Sequence, residues 1–429
     1  MSVFNQSRSY IIRAIFLVVF LLILGQLVNL QIFDRKYHQL ARDNAIFAKI
    51  VYPERGIIFD RKGRPILNNT IMFDLMVTPA EVKNVDTLAF CRLMDIDTAE
   101  FHKRIVDAIL KNSRVRPSIF ISLLTPEMQA RFEENNWRFN GFNLQARPVR
   151  TYPSNVGAQV LGYIGEVSPA EIERSSKYYR MGDYIGKNGL ERTYESVLMG
   201  QRGVEYMIKD NKNRLVGHYE NGEFDTIAVA GRSLKTHIDV DLQTLAEKLF
   251  TDKVGGVVAI DPKTGGILAM ASGPTFNPND LTGPNFKRNF FKLDSLYAAP
   301  LFNRAIKGQY PPGSTFKPIG GLVALDQGVI TPAFGYPCGG RYYGCGSGKP
   351  GCTHAGGGHA ANLRLATANS CNSYFTDIYR KTVDNPKYGN VKKGYEVWRE
   401  YMHKFGLGVK LGVDLPSEDP GNISSVARY

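Results

Sequence analysis

Between Ala14 and Gly25 the chain carries no polar side chain, and Ile11 to Leu30 contains a single charge, Arg13. A run that is apolar on every face and long enough to cross a bilayer predicts a membrane-spanning helix rather than an amphipathic core helix. No small-residue cleavage site follows in Gln26-Leu27-Val28-Asn29-Leu30-Gln31-Ile32-Phe33, so an uncleaved anchor over residues 11–30 after a tail of residues 1–10 is expected. Arg8 and Arg13 precede the run while Arg35, Lys36, Arg42 and Lys49 follow it, so the positive-inside rule leaves the orientation open.

Beyond the anchor the pattern alternates between period two and period 3.6. Residues 55–67 place an apolar run, a polar turn with Gly63 and a second apolar run in succession, which predicts a β-hairpin. From Asp86 to Glu134 the spacing is helical, Phe142 to Val149 reads as extended, Gln159 to Ile164 is a short apolar run, and a helix is expected from Gly186 to about Gly200. Leu234 to Asp239 reads as a strand leading into a helix over Leu242 to Phe250. Two β-prone runs, Val257 to Asp261 and Gly266 to Ala271, then flank Pro262-Lys263-Thr264-Gly265 and predict a second hairpin. The glycine-rich stretch Cys338 to Gly358 has little apolar content and can be ordered only if something ties it down. The expected architecture is α+β and multidomain, with a boundary near residue 235.

Composition changes this picture little: 43% apolar and 11% aromatic residues over 429 positions suit ordinary globular domains with more than one core. The formal charge of +13 is spread without blocks of like charge, which argues against a nucleic-acid arm and suits work near anionic membranes or substrates.

The chemistry sits in two short motifs. Ser314 and Lys317 stand three residues apart after Tyr310-Pro311-Pro312-Gly313, and on a helix that spacing puts hydroxyl and amine on one face, where the amine can take the proton of the attacking oxygen. Ser370-Cys371-Asn372 follows as a second motif with serine and asparagine two apart. This pair, at this interval, resembles the penicillin-binding transpeptidases. Upstream, the 55–67 hairpin and the Gly186 to Gly203 stretch resemble the pedestal, or dimerisation, domain of class B penicillin-binding proteins, and the Tyr-Pro-Pro-Gly lead-in resembles the penicillin-binding protein 2 branch, the elongation enzyme.

The resemblance implies an anchor, a pedestal over residues 31–235 and a transpeptidase domain over residues 236–429 with an antiparallel sheet against helices. It implies a peptidoglycan D,D-transpeptidase of cell elongation, anchored by one pass in the inner membrane with its catalytic domain in the periplasm. Ser314 would attack the penultimate D-Ala carbonyl of a stem peptide. Lys317 would be the base, Ser370 a proton relay, Asn372 a ligand for the substrate backbone, and the Ser314 N–H one arm of the oxyanion hole. An ordinary lysine is protonated at neutral pH, so this role requires a lowered pKa. β-Lactam antibiotics would be taken as pseudo-substrates, and RodA, the membrane glycosyltransferase, would be a partner.

One departure stands out. The family's third motif, Lys-Ser/Thr-Gly on a strand lining the site, should follow Asn372, and the residues to Tyr429 do not contain it. Lys263-Thr264-Gly265 precedes the nucleophile and belongs to the turn of the second hairpin. The expectation from sequence is a truncated transpeptidase domain with an incomplete sheet, inactive by itself and poorly soluble through its open edge.

The cysteines Cys91, Cys338, Cys345, Cys352 and Cys371 are odd in number and clustered, which fits a metal site or one local disulfide. Cys338, Cys352, His359 and Cys371 offer three thiolates and an imidazole, a set that holds structural zinc. The resemblance supports it, because some members of the penicillin-binding protein 2 branch have a zinc site ending at the middle residue of the second motif. His354 could replace His359, Cys345 could replace any of the cysteines, and a disulfide among Cys338, Cys345 and Cys352 is the competing reading. Competing functions are a class D-like β-lactamase or β-lactam sensor, against which Asn372 and the long pedestal speak, and a non-catalytic membrane scaffold.

Overall fold

The computed structural model describes residues 4–28, 46–175, 178–179, 182–209, 215–344, 346 and 350–427. The apolar run forms one helix, α1 (Phe4–Val28), and its stretch Tyr10–Leu27 buries nothing against the rest of the chain. At about 1.5 Å per residue its 25 residues reach roughly 37 Å, enough to cross a hydrocarbon layer. Leu30 and the cations Arg35, Lys36 and Arg42 lie outside the described residues.

The pedestal is organised on one long strand. Strands β1 (Ile46–Val51), β2 (Ile58–Phe59) and β3 (Pro65–Val77) follow the anchor. β3 pairs antiparallel with β2, with β4 (Ser118–Ile121) and, from Asn68↔Thr151 to Val77↔Phe142, with β5 (Phe142–Thr151). The β2–β3 hairpin closes because the buried Asp60 carboxylate accepts the N–H groups of Lys62 and Arg64 at 2.8 and 2.9 Å, while Gly63 takes a φ of 84°. The chain between β3 and β5 forms α2 (Thr87–Met94), α3 (Thr98–Lys111) and α4 (Pro126–Asn135), capped by Asp86, Asp97 and Thr125. Their apolar stripes converge on Phe90, whose ring meets Phe101, Phe120 and Phe139 edge-on at 5.2–5.6 Å. β4 interrupts the region whose spacing reads as helical throughout. Its four residues are too few for period two to show, and it forms because Ile121 and Ile119 find Leu75 and Met76 on β3.

Downstream, the run at Gln159 is a short helix (Ala158–Leu161) followed by β6 (Ile164–Glu166), which pairs with β7 (Tyr184–Gly186). The expected helix after Gly186 is two short turns, Gly189–Thr193 and Glu195–Leu198, broken at Tyr194. β8 (Gly203–Lys209) pairs with β1 and with β9 (Leu215–His218), and β10 (Leu234–Lys235) joins β2 in parallel.

In the C-terminal half, α5 (Val240–Leu249) packs on the hairpin of β11 (Gly255–Ile260) and β12 (Ile267–Gly273). The Gln243 amide imitates a strand: its Nε2 donates to Met270 O at 2.9 Å and its Oε1 accepts Met270 N–H at 2.8 Å. That covers the β12 edge, whereas β11 pairs with no strand but β12 among the described residues and leaves Val257, Val258 and Ile260 exposed. Lys263-Thr264-Gly265 is the turn of this hairpin. The Asp261 carboxylate accepts Lys263 N–H and Thr264 Oγ1 at 3.0 and 2.9 Å, so the motif's residues close a loop rather than line a strand. Helices α6 (Lys317–Asp326), α7 (Asn372–Val383) and α8 (Val391–Lys404) complete this half.

One apolar core crosses between the halves. It joins Ile58, Leu67, Tyr152, Leu161 and Leu198 to Ile238, Val240, Met270 and Leu415. Beside it Arg150 and Glu191, 1% and 0% exposed in their side chains, meet at 2.6 Å. Arg55 contacts Glu191 at 2.5 Å and Glu195 at 2.8 Å, and Arg150 also donates to Asn69 at 2.8 Å. Removing the acid from such a group leaves a buried guanidinium without its counter-charge, which is worse than never having built the pair. Glu191→Ala is therefore expected to lower stability by about 3–5 kcal/mol in chemical denaturation, with Glu100→Ala, on an exposed pair, changing it by less than about 1 kcal/mol.

Candidate active site and metal centre

Gly313, at φ 59°, lets the chain turn after Pro311-Pro312 into a 3₁₀ segment, Gly313–Phe316, that runs directly into α6. Ser314 and Lys317 therefore do share a face, across the junction of two helix types and not within one α-helix. Ser314 is exposed and Lys317 half-buried.

The second motif owes its shape to a helix ending. The helix Leu363–Ala368 stops in a Schellman arrangement: Cys371 N–H reaches Ala366 O at 2.9 Å and Ser370 N–H reaches Thr367 O at 3.1 Å. Ser370 occupies the left-handed position, φ 52°, that usually falls to glycine. This conformation turns both its carbonyl and its hydroxyl toward Lys317. Lys317 Nζ donates to Ser370 O at 2.7 Å, Ser370 Oγ at 2.9 Å and Asn372 Oδ1 at 2.5 Å, which uses all three ammonium hydrogens. Ser370 Oγ in turn donates to Ser314 Oγ at 2.9 Å. Among the described contacts Ser314 and Lys317 share no direct hydrogen bond, so the hydroxyl reaches the amine through Ser370. Asn372 is committed within the protein as well, its Nδ2 donating to Gly351 O at 2.8 Å.

Burial pushes the Lys317 ammonium below the ordinary lysine range, against the pull of Cys352 and Cys371. The Phe375 ring lies 5.9 Å from Nζ, a neighbour the sequence did not single out because nothing in its spacing ties it to either motif.

The four residues Cys338, Cys352, His359 and Cys371 come together, with their ligand atoms all within 4.8 Å of one another. Cys352 Sγ and Cys371 Sγ are 3.9 Å apart, close to the edge of about 3.8 Å that a tetrahedron with metal–sulfur bonds of about 2.3 Å would have. His359 donates Nδ1–H to Gly356 O at 2.7 Å, which leaves Nε2 buried and without a hydrogen-bond partner. An imidazole oriented by a carbonyl on one nitrogen, with the other free among thiols, is the usual preparation of a metal ligand. The donor set therefore fits a tetrahedral metal. Burial pushes the Cys352 thiol up, but N–H groups of His354 and Asn372 more than offset this and hold it below the ordinary cysteine range. Burial pushes Cys371 up. His354 lies outside the group, its ring 5.5 Å from that of His359, and Cys345 falls outside the described residues. Cys338, Cys352 and Cys371 are free thiols, as is Cys91, which packs in the pedestal core.

The glycine-rich loop is tied at both ends of the cluster. Cys352 N–H bonds Gly340 O at 2.8 Å, Gly356 N–H bonds Cys338 O at 2.9 Å, and Arg341 bridges to Gly351.

Residues 50–236 match the penicillin-binding protein dimerisation domain, and residues 255–427 match the penicillin-binding protein transpeptidase domain. The chain is 32% identical over 432 residues to the peptidoglycan D,D-transpeptidase MrdA of Acinetobacter baumannii, covering 97% of this chain and 60% of that protein. It is 32% identical over 441 residues to MrdA of Escherichia coli K12, covering 97% of this chain and 66% of the relative. The chain thus spans about three-fifths to two-thirds of the length of these curated relatives. Among solved structures, a complex between penicillin-binding protein PBP2 and MreC from Helicobacter pylori shares the fold, with a TM-score of 0.69 at 23% identity over 89% of this chain and 69% of that one.

The left-handed backbone at Ser370 yields a test that needs no substrate. Ser370→Gly relieves a conformation that costs a non-glycine residue about 1 kcal/mol, so the variant should melt at or slightly above the parent temperature by differential scanning calorimetry. A fall of several degrees would show that the hydroxyl's bonds outweigh the backbone term.

Proposed function

The chain belongs to the penicillin-binding proteins, joining their dimerisation domain to their transpeptidase domain, and we propose that it is a serine D,D-transpeptidase that cross-links peptidoglycan stem peptides during cell-wall elongation. The observation that supports this most directly is the unbroken line of hydrogen bonds from Ser314 through Ser370 to Lys317. While Lys317 is charged, that line points from amine to Ser370 to Ser314, and the Ser314 oxygen accepts. Once Lys317 is neutral the line can reverse: Ser314 donates to Ser370, Ser370 donates to Nζ, and the attacking oxygen gains a route for its proton.

In the proposed cycle Ser314 Oγ bonds to the carbonyl carbon of the penultimate D-Ala while its proton passes through Ser370 to Lys317. The Ser314 N–H offers one donor to the oxyanion. The peptide C–N bond then breaks, the proton returns along the same path to the departing D-Ala amine, and an ester remains on Ser314. An amine from a second stem peptide attacks the ester, loses its proton to the line, and restores the hydroxyl. A β-lactam enters the same first step, but its ring opens without releasing a leaving group from the site.

Cys338, Cys352, His359 and Cys371 would hold zinc, which supplies a structural clamp when bound. Cys371 lies between the two residues that contact Lys317, so fixing its thiolate fixes Ser370 and Asn372 together. We further propose residues 1–10 as a cytoplasmic tail, 11–30 as the anchor, 31–235 as the pedestal and 236–429 as transpeptidase domain, with a periplasmic catalytic half. A RodA-type glycosyltransferase is the proposed membrane partner, and an MreC-like protein is a second proposed partner by analogy with the structural relative.

Labelled penicillin should acylate Ser314 in the protein expressed from its whole reading frame, with the ester located by mass spectrometry and absent from Ser314→Ala. No label on Ser314 would refute the assignment and favour a scaffold. The neutral amine is the active form, so the acylation rate should rise with pH and level off below the ordinary lysine pKa of about 10.4. A midpoint at or above that value would remove Lys317 as the base.

Zinc analysis of purified protein should give one ion per chain. Chelation should lower the melting temperature and expose three further thiols to a thiol reagent, and Cys371→Ser should lose the metal. Protein without zinc and with fewer free thiols would replace the metal by a disulfide.

A further inference from the structure

The proposed chemistry uses the two ends of the Ser314–Lys317 turn and leaves its middle unexplained. Ser314 and Thr315 face solvent, and Thr315 Oγ1 donates to Pro312 O at 2.5 Å, a bond internal to the turn. Phe316 is the one apolar side chain of the 3₁₀ segment and the one that can anchor it to the rest of the fold. Short 3₁₀ segments have poorer hydrogen-bond geometry than α-helix, so their position depends on such anchors.

The Phe316 ring meets Trp398 of α8, with centroids 6.2 Å apart and planes at 64°. Trp398 is fixed from two other directions: Tyr379 of α7 stands edge-on at 5.3 Å, and Tyr395, one turn earlier on α8, stacks at 5.5 Å. One turn further along α8, Tyr401 donates to Asp326, and Gln327 Nε2 donates to Tyr401 at 2.5 Å. Helix α8 thus holds α6 at both ends, by a ring contact where the nucleophile begins and by hydrogen bonds where the helix stops.

We propose that Trp398 is a positioning residue for the nucleophile turn, acting through Phe316 to set Ser314 and Lys317 against Ser370. It rests on the reading of Ser314 and Lys317 as the reacting pair. A positional role predicts that loosening Trp398 weakens the three hydrogen bonds of Lys317 without altering any group that makes them. Offset and edge-on aromatic pairs are strong enough for their loss to shift a local equilibrium several-fold.

The test uses the 429-residue chain in detergent and the rate at which acetic anhydride modifies Lys317, measured by peptide mass spectrometry relative to the exposed Lys287. Trp398→Leu is expected to raise the Lys317 rate about threefold or more, Phe316→Ala to do the same, and the double variant to add little to either. Trp398→Phe, which keeps an aromatic edge, should stay within about twofold of the parent. An unchanged rate in Trp398→Leu overturns the proposal, as does an equal rise whether or not Phe316 is present.

Should Trp398→Leu fail to fold, Phe316→Ala in a Trp137→Phe background decides. Trp398 is then the sole tryptophan, because the chain has 2. Its emission must shift to the red as the Lys317 rate rises, and either remaining fixed overturns the assignment. Failure of Ser314 to take up penicillin would count against the function proposed above and leave this measurement intact, since it needs no acyl-enzyme.

Discussion

The Lys317 amine and its three oxygen acceptors are the contact around which the C-terminal half is arranged. All three acceptors come from Ser370 and Asn372. Burial favours the neutral amine, whereas the neighbouring thiols of Cys352 and Cys371 favour the charged one. Burial prevails, and the amine sits below the ordinary lysine range while all three of its hydrogens are engaged.

Holding that balance needs a fixed turn at Ser370, and several layers of the fold contribute to it. The helix Leu363–Ala368 presents Ser370 through its Schellman ending, and α7 begins at the next residues with Cys371 as its cap, Sγ accepting Tyr374 N–H at 3.5 Å. The glycine-rich loop closes over the turn through Gly351 O and Asn372. Farther away, the pedestal enters the same structure through a shared core and through polar links. Glu247 on α5 accepts Gly157 N–H at 2.6 Å, and Arg64 pairs with Asp241 at 2.9 Å. The two halves share a core at this seam, which ties the pedestal to α5 and to the β11–β12 hairpin beside it.

What the sequence made legible was local. Both hairpins could be read because a polar turn with a glycine, Gly63 or Gly265, separates two apolar runs; in the structure each glycine takes positive φ and an aspartate, Asp60 or Asp261, accepts hydrogen bonds from the turn. That reading also disposed of Lys263-Thr264-Gly265, which the structure uses as turn. The clustering of Cys338, Cys352, His359 and Cys371 was legible from residue type and spacing, and the meeting of Ser314, Lys317, Ser370 and Asn372 from their two intervals. What stayed hidden depends on tertiary context. β4 is strand because β3 offers it an edge, the helix after Gly186 breaks at Tyr194, and Ser370 is left-handed because a helix stops immediately before it. No spacing rule announces a serine in a glycine position, and that substitution is what makes Ser370 an intermediary between Ser314 and Lys317.

Cys371 shows why the thiol–imidazole cluster and the hydrogen-bonded line from Ser314 to Lys317 need no long pathway between them. Coupling over distance requires a chain of elements with two arrangements; here a single residue belongs to both sites. Its side chain faces Cys338, Cys352 and His359, its backbone N–H completes the Schellman turn, and its neighbours on either side hold Lys317. Rotation of the Cys371 peptide to satisfy a different thiol geometry would move the Ser370 carbonyl and the Asn372 side chain together. Two of the amine's three hydrogen bonds would then change at once. The buried position of Cys371 adds to this, because its surroundings allow the thiol few alternative rotamers. With Cys371 at the centre of the second motif, the order of the glycine-rich loop becomes a condition on the geometry of Lys317 and its three acceptors.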